Sequence, residues 1–402
     1  MVRAIITDTQ DRISLSVIRS LGEKGVYVTG VGDKQKHVLS RRGNIGARSK
    51  YCKNHLLLPS PHKNPKIFLS ELLKLSKNHD VLIPITTISV DFISKHLDLF
   101  RPHIKIPIPE YKTIYQARNK ELLLKLAIAN KIPVPKTYFI KSLSEVKEVA
   151  KEIKYPAVVK ARDEIGLGDI RYTIVNHEKE LVSKYLQMHK LQDFPLIQEH
   201  IKGQGVGFFA LFNKNLDPRA VFCHKRIREI PITGGPSSFC ESIRDERITD
   251  YGIKLLKALN WFGVAMVEFK IDSKDNKPKL MEVNPRFWGS LPLAVASGVN
   301  FPWLLTKLAV NGDIEPVLSY KEGVKLRFLY ADLIAAEQYL LSSQPNKLRF
   351  LMGFIKDLFD MHVTDGVILK DDPAPDTSLW VLYHYFKNMP FRTTRWLLSN
   401  KK

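Results

Sequence analysis

The chain has 402 residues, of which 44% are apolar and 26% are charged, so it can form two or three domains with ample core. No run approaches 18 uncharged apolar residues, and the widely spaced Cys52, Cys223 and Cys240 indicate neither a disulfide framework nor a zinc cluster. The net charge of +21 is compatible with nucleic acid, an anionic membrane surface, acidic small molecules or no partner, although the basic residues are spread out and carry no nucleic-acid motif.

Residues 1–112 alternate apolar strands with amphipathic helices. Strands are predicted in RAIIT, VYVTGVG, HLLLP, DVLIPI and KIPIP, and helices in SLSVIRSLGEKG, IFLSELLKLSKNH and SVDFISKHLDLF. This βαβ rhythm is typical of a doubly wound sheet. The first strand is followed by TDTQDR and not by G-x-G-x-x-G, so a dinucleotide site is not expected. The reduced cysteines and the absence of a signal-peptide pattern predict a cytoplasmic location.

A lysine next to a glycine-containing loop follows in residues 155–175. The segment YPAVVKARDEIGLGDIRYTIV predicts a strand ending at Lys160, a loop with Gly166 and Gly168, and a second strand. Such a loop can close over phosphates while the lysine contacts them. Glycine turns between strands are common, so the pattern alone is a weak indication of a phosphate site.

A basic strand precedes a glycine turn in AVFCHKRIREIPITGGPSSFCESI. Arg226 and Arg228 alternate along this strand and are expected on one side, and guanidinium groups bind carboxylates through paired hydrogen bonds. The amides of Gly234, Gly235 and Ser237 are expected to face an anion. We predict a substrate site here, with a plain basic surface strand as the alternative.

Two further strands, GVAMVEFKI and PKLMEVNPRFWGS, are joined by the polar turn SKDNK. If the turn is centred on Asp275, Lys270 lies opposite Leu280 and Glu268 lies opposite Glu282. The two segments are therefore predicted to form an antiparallel hairpin with two acids facing each other.

The face of this hairpin that carries Glu268 is unusually polar. Because side chains alternate along a strand, Glu282, Asn284 and Arg286 share one face, and Glu268 points to it from the neighbouring strand. Directly opposed carboxylates repel unless a cation compensates them, and Mg²⁺ carrying nucleotide phosphates suits oxygen ligands of this kind. The alternative is an exposed hairpin with a chance pair of acids.

The acidic residue followed by E-x-N-x-R on the next strand resembles the ATP-grasp superfamily, and the resemblance covers about residues 1–312. The most similar branch contains carbamoyl-phosphate-synthase-like proteins, many of them assigned as carboxylate–amine ligases. The resemblance implies an ATP-grasp α/β fold. Its parts are an N-terminal doubly wound α/β domain in 1–112, a small lid subdomain in 113–195, an α+β catalytic subdomain in 196–312 and a helical C-terminal extension in 313–402.

The resemblance also implies roles for individual residues toward ATP and Mg²⁺ (or Mn²⁺). The metal ligands are Glu268, Glu282 and Asn284. The phosphate contacts are Lys120, at the start of a predicted helix, Lys160, Gly166 and Gly168. The strand whose backbone binds adenine contains Gln198, Glu199, His200 and Ile201. The catalytic arginines, which contact phosphate, the acyl phosphate or the substrate carboxylate, are Arg286, Arg226 and Arg228.

The implied function is an ATP-dependent ligase that activates a carboxylate as an acyl phosphate and joins it to an amine. Two alternatives are a bicarbonate-using carboxylase or carbamoyl-phosphate-type enzyme, and a non-catalytic protein that binds ATP or a surface. The expected partners are a small carboxylate and an amine; nucleic acid is not expected, and the oligomeric state is open. Within the C-terminal extension, LYADLIAAEQYLL and KLRFLMGFIKDLFDMH predict amphipathic helices, and the aromatic, basic segment 380–402 predicts a peripheral contact with an anionic membrane.

Overall fold

The structure, a computed structural model, describes residues 1–34, 44–163, 165, 171–367 and 371–372. The strands in chain order are β1 (Arg3–Ile6), β2 (Tyr27–Asp33), β3 (Cys52–Leu58), β4 (Val81–Ile83), β5 (Thr137–Tyr138), β6 (Ala157–Lys160), β7 (Tyr172–Val175), β8 (Leu196–Glu199), β9 (Gly203–Phe212), β10 (Pro218–Glu229), β11 (Ser237–Ile243), β12 (Gly263–Asp272), β13 (Pro278–Asn284), β14 (Lys325–Arg327) and β15 (Val363–Asp365). The helices are α1 (Arg12–Gly22), α2 (Pro65–Ser76), α3 (Thr87–Ser94), α4 (Leu97–Phe100), α5 (Tyr111–Arg118), α6 (Lys120–Ala129), α7 (Leu143–Glu152), α8 (Glu178–His189), α9 (Glu246–Ala258), α10 (Leu291–Ala296), α11 (Phe301–Asn311), α12 (Leu329–Leu341) and α13 (Lys347–Leu358).

The chain divides into two compact units, each built from segments that are distant in sequence. Unit 1 comprises Met1–Pro107, Arg219–Arg244 and Phe287–Lys402, and unit 2 comprises Ile108–Pro218 and Asp245–Arg286. The subdomain boundaries expected near residues 112, 195 and 312 stay a prediction. None of the described helices is long and apolar enough to cross a membrane.

The N-terminal part of unit 1 holds a parallel sheet in the order β3-β2-β1-β4. β1 is central, and its residues Ala4, Ile5 and Ile6 are fully buried, because both faces of a parallel sheet with crossover helices are covered. α1 follows after Asp11, whose side chain caps the helix by accepting a hydrogen bond from the N–H of Ile13. The predicted strand–helix alternation is confirmed here.

Two predicted elements of this region are wrong in detail. The segment KIPIP contributes only a single bridge, between Lys105 and Val81, and not a strand. Pro107 and Pro109 lack the N–H groups that a ladder needs, which explains the difference. The segment predicted as one helix in 89–100 forms the separate helices α3 and α4.

The rest of unit 1 contains β10, β11 and β14 in antiparallel order, with β15 pairing parallel to β14. The two predicted C-terminal helices are confirmed as α12 and α13, while the short strands β14 and β15 were not predicted. The predicted membrane segment 380–402 lies outside the described residues.

Unit 2 contains an antiparallel sheet in the order β5-β8-β6-β7, covered by α7 and α8. It also contains the antiparallel strands β9, β12 and β13. The helix predicted to start at Lys120 is confirmed as α6, and Asn119 both ends α5 and caps α6. Its side chain accepts hydrogen bonds from the N–H groups of Glu121 and Leu122.

Candidate functional site

The predicted pairing of Glu268 with Glu282 is present on strands β12 and β13 of unit 2. The rest of the predicted register is wrong by one residue, since Lys270 lies opposite Lys279, and Leu280 lies opposite Phe269. The turn is one residue tighter than predicted, and Asn276 adopts a left-handed conformation with φ of 55° within it.

A β-bulge at Met281 lies between the correctly predicted pair Glu268–Glu282 and the shifted pairs next to the turn. With strict alternation, Leu280 and Glu282 would lie on the same face of β13. The extra residue lets Leu280 and Val283 both reach the core, where they are 0% and 4% exposed, while Met281 and Glu282 stay partly exposed. The bulge therefore allows a buried apolar strand and an acidic site face to coexist.

The three predicted residues of β13 and the following turn contact one another in sequence. The Asn284 amide donates to the Glu282 carboxylate (Nδ2 to Oε1, 3.0 Å), and Arg286 donates to the Asn284 carbonyl (Nη2 to Oδ1, 3.1 Å). Each amide or guanidinium is thus oriented by its neighbour, and Glu268 faces this row from β12. The structure brings together the four residues that the sequence placed on one face.

Lys120 joins this row from the start of α6. Its ammonium lies 3.7 Å from the Glu282 carboxylate, and its side chain is 4% exposed. The residues alone describe Lys120 as a solvated helix position, and that interpretation is wrong. The backbone N–H of Lys120 donates to the carbonyl of Arg162, and the preceding residue, Asn119, caps the N-terminus of α6. The lysine is therefore held in place by its own backbone.

Lys160 reaches the same hairpin from the last position of β6. Its ammonium lies 3.4 Å from the carbonyl oxygen of Met281, the bulge residue. The predicted lid glycines Gly166 and Gly168 lie outside the described residues. The start of that loop is fixed to the helices before it, since Asp163 pairs with Arg118 at 3.0 Å.

The strand predicted to bind adenine is β8 with the two residues after it. Gln198 is buried and donates to the hydroxyl of Thr137, and Glu199 pairs with Lys279 at 3.2 Å. Burial, together with nearby lysines, lowers the pKa of His200, which keeps its ring neutral. Within the described part of the chain, the N–H of the buried Ile201 donates to no acceptor.

In unit 1 the basic strand β10 differs from its prediction. Register shifts on both sides of Arg228 interrupt the alternation, so Arg226 and Arg228 have different surroundings. Arg226 donates to the carbonyl of Gly235 at 2.9 Å. The amides of Gly234 and Gly235, expected to face an anion, instead donate within the loop, to the Pro231 carbonyl and to a carboxylate oxygen of Glu229.

Arg228 is enclosed by carboxylates of its own unit. Its guanidinium donates two hydrogen bonds of 2.8 Å to Asp332 and one of 2.7 Å to Asp357. It also lies over the ring of Phe239, 4.3 Å from the centroid. These contacts favour a structural ion pair, and the catalytic role of Arg228 stays a prediction.

Arg12, which sequence reasoning missed, lies in unit 1, forms no ion pair with a described carboxylate, and is influenced electrostatically by the charge of Asp11. Its guanidinium stacks on Phe328 at 3.9 Å from the ring centroid, and a Cβ on Gly289 would come within 2.9 Å of it. Burial lowers the pKa of Arg12. Burial raises the pKa of the Cys240 thiol to about 12, and the charges of Arg12 and Arg226 both partly offset this rise. The two arginines therefore lie near the same buried thiol. Position 12 begins an ordinary helix, so no motif marked it.

The chain resembles known proteins in sequence and in fold. A family described as ATP-grasp in the biosynthetic pathway with Ter operon matches residues 222–330. The carbamoyl phosphate synthase large chain of Methanocorpusculum labreanum is 24% identical over 223 residues, which are 53% of this chain and 21% of that relative. The chain thus spans about a fifth of the length of that relative.

Solved structures give a similar result. Biotin carboxylase from Campylobacter jejuni superposes with a TM-score of 0.64 at 16% identity, over 81% of this chain and 74% of that one. N5-carboxyaminoimidazole synthetase from Staphylococcus aureus gives 0.62 at 16% identity over 81% and 80%. L-amino acid ligase from Bacillus licheniformis gives 0.60 at 16% identity over 79% and 78%.

These matches confirm the fold predicted from the sequence. The chain has the ATP-grasp fold. Its resemblance to the ATP-grasp superfamily, in the carbamoyl-phosphate-synthase-like branch, is likewise confirmed.

Proposed function

We propose that this protein is an ATP-dependent ligase that joins a carboxylate to an amine with release of ADP and phosphate. The observation that carries the proposal is the row of contacts from Lys120 through Glu282 and Asn284 to Arg286, opposite Glu268. Glu268 and Glu282 on the hairpin supply two carboxylates, while Lys120 at the start of α6 and Arg286 just after β13 supply two cations. Such a site can hold a metal–phosphate group and neutralise charge as the phosphoryl group moves.

The residues present suit Mg²⁺ or Mn²⁺. Glu268, Glu282 and Asn284 supply carboxylate and amide oxygens, which these hard cations prefer, and phosphate oxygens and water would complete the coordination. In the described residues no three His, Cys, Asp or Glu side chains form a metal-binding group, so phosphate would be an essential part of the site. A metal held by Glu268, Glu282 and Asn284 would withdraw charge from the phosphate during transfer.

In the proposed reaction, a carboxylate oxygen attacks the γ-phosphorus of ATP and the bond from that phosphorus to the bridging oxygen breaks, which releases ADP. The amine then attacks the carbonyl carbon of the acyl phosphate, phosphate leaves, and the nitrogen loses a proton. Lys120, Lys160 and Arg286 are assigned to the phosphate oxygens. The backbone of Ile201 is assigned to adenine, because its N–H has no acceptor among the described residues.

The carboxylate substrate is assigned to unit 1, with Arg226 joined by Arg12. Arg12 has an aromatic platform and no described carboxylate partner, so a substrate carboxylate can take that place through paired hydrogen bonds. Arg228 is left out of this site, because Asp332 and Asp357 already neutralise it.

The test is phosphate release from ATP by the full chain with pooled amino acids and hydroxy acids, with and without pooled amines. We expect release that needs both Mg²⁺ and a carboxylate, and a loss of at least about 100-fold in Glu282→Gln. The matched control is Glu246→Gln, an exposed position on α9 of the same unit, which should keep full activity.

Two other outcomes would contradict the proposal. Phosphate release driven by bicarbonate alone would indicate a carboxylase or carbamoyl-phosphate-type enzyme, for which the similarity to biotin carboxylase is the supporting observation. Nucleotide binding without turnover in any mixture would indicate a non-catalytic ATP-binding protein.

A further inference from the structure

The outer face of α13 carries a continuous apolar stripe. Its residues recur every three or four positions, so they share one side of the helix. They are Leu348, Leu351, Met352, Ile355 and Phe359, which are 71%, 36%, 58%, 46% and 76% exposed. Single exposed apolar side chains are ordinary, but a contiguous row of this size indicates an interaction surface.

The opposite face of α13 is fixed to unit 1, so the helix cannot turn the stripe inward. Phe350 stacks on Tyr339 of α12 with ring centroids 3.9 Å apart, and Phe354 is buried. Asp357 accepts a hydrogen bond from Arg228, and its backbone carbonyl accepts one from Arg327 at 3.0 Å. The stripe therefore faces outward as a consequence of packing.

Basic residues border the stripe. Arg349 and Lys356 are seven positions apart and lie along one edge, and Lys347 lies on the other; all three are exposed. The chain as a whole carries a net charge of +21. A helix with a narrow apolar face, basic flanks and a third face fixed to the protein has the features of a helix that lies in a membrane interface.

We propose that α13 docks the protein on the surface of an anionic phospholipid membrane, with the stripe among the acyl chains and Lys347, Arg349 and Lys356 at the headgroups. Charge complementarity selects this occupant, because a symmetric contact between two copies would bring two such basic borders together. The contact is peripheral, since no described helix can cross a membrane. The proposal is independent of the ligase proposal, because no ATP-site residue takes part.

The experiment is co-sedimentation of the full chain with large vesicles of phosphatidylcholine, with or without 30% phosphatidylglycerol (about one lipid in three). We expect binding to the anionic vesicles that weakens with added salt, and little binding to the neutral ones. Leu351→Glu/Ile355→Glu should lower the partition coefficient about 100-fold, because each large apolar side chain contributes about tenfold. Arg349→Ala/Lys356→Ala should lower it about 25-fold, at about fivefold per charge.

The matched control is Ile67→Glu/Leu191→Glu. These residues are 52% and 53% exposed and lie outside α13, so the same change in charge should leave vesicle binding nearly intact. All substituted side chains are exposed, and unchanged circular-dichroism melting shows that each variant folds. Light scattering of each protein without vesicles tests for self-association.

Three results would overturn the proposal. One is a failure of the full chain to bind anionic vesicles. Another is equal binding by the wild type and both α13 variants, which would place the contact elsewhere in the chain. The third is a dimer of the wild type that Leu351→Glu/Ile355→Glu dissociates, which would identify a second copy as the occupant of the stripe.

Discussion

Three arginines of unit 1 differ in what surrounds their guanidinium groups. Arg228 is held by Asp332 and Asp357, and Arg19 by Asp372 at 2.8 Å, whereas Arg12 lies against an aromatic ring. A buried charge without a counter-charge is costly, so a protein retains one only where something else compensates it. This difference favours structural roles for Arg19 and Arg228 and leaves Arg12 suited to a substrate carboxylate.

Replacing Arg228 with Ala should therefore destabilise the protein strongly. Asp332 is 0% exposed and would be left without its cation, at a cost of about 3–5 kcal/mol. The matched control is Arg219→Ala, which breaks a half-exposed pair with Asp313 and should cost at most about 1 kcal/mol. Urea unfolding measures both, and equal losses would show that Arg228 is not a structural cation.

His224 provides a pH-dependent contribution to stability. Burial, with a smaller effect from Arg226, lowers the pKa of His224 to about 3, and its Nδ1 lies 3.1 Å from the Ser290 hydroxyl. The ring is neutral in the folded protein, while in the unfolded chain it binds a proton below about pH 6.5. The contribution is therefore complete above that pH and decreases as the pH falls toward 3.

Between pH 7.5 and 5.0 this one group should lower the free energy of unfolding by about 2 kcal/mol. The measurement is urea unfolding of wild type and His224→Gln at the two pH values. The wild type should lose about 2 kcal/mol more than the variant, because every other titrating group is common to both. An identical pH dependence would show that His224 is not kept neutral by the fold.

At the scale of helices and strands, the alternation of side chains along a strand predicts which residues share a face, and a bulge is where that prediction fails. Alternation on β13 correctly placed Glu282 and Asn284 on one face, because no irregularity lies between them, and Arg286, in the bend after the strand, still donates to Asn284. The same rule gave the wrong partner for Lys270. The extra residue Met281 shifts the pairing by one position on the turn side of the bulge, and this shift leaves Leu280 in the core. A bulge depends on packing against distant strands, which no local pattern records.

The site residues outside the hairpin show the same limit. Lys120 begins a helix that looks solvated in sequence, and only the packing of α6 in unit 2 buries it beside Glu282. The contacts of Arg12 and Arg228 could not be predicted from sequence, because their partners Phe328 and Asp332 are more than 100 positions away. The resemblance supplied Lys120, and nothing supplied Arg12.

The break between α5 and α6 predicts a coupled effect on stability and nucleotide binding. Asn119→Ala removes the cap of α6 and should cost about 1 kcal/mol. It should also weaken binding of a non-hydrolysable ATP analogue, because Lys120 is the first residue of the capped helix. Asn119→Asp keeps an acceptor for the cap and should restore both properties. Calorimetry and urea unfolding check this, and loss of stability with unchanged affinity would separate Lys120 from the nucleotide.

At the scale of the whole molecule, the residues assigned to functions divide between the two units. The residues assigned to ATP and metal all lie in Ile108–Pro218 and Asp245–Arg286, whereas Arg12, Arg226 and the apolar stripe of α13 lie in unit 1. The net charge of +21 has no single explanation in this arrangement, since both a phosphate site and an anionic surface attract cations. Variants of the α13 stripe can therefore be tested without changing any residue assigned to ATP, the metal or the carboxylate.

The central claim is that the hairpin of β12 and β13 forms a metal-dependent ATP site, and calorimetric titration with a non-hydrolysable ATP analogue tests it most directly. We predict binding by the wild type that Mg²⁺ strengthens, and a loss of that Mg²⁺ effect in Glu282→Gln. Lys160→Ala should weaken binding about 10- to 150-fold, and the exposed control Lys254→Ala should not. Absence of binding by the wild type, or equal Mg²⁺ dependence in Glu282→Gln, would contradict the claim.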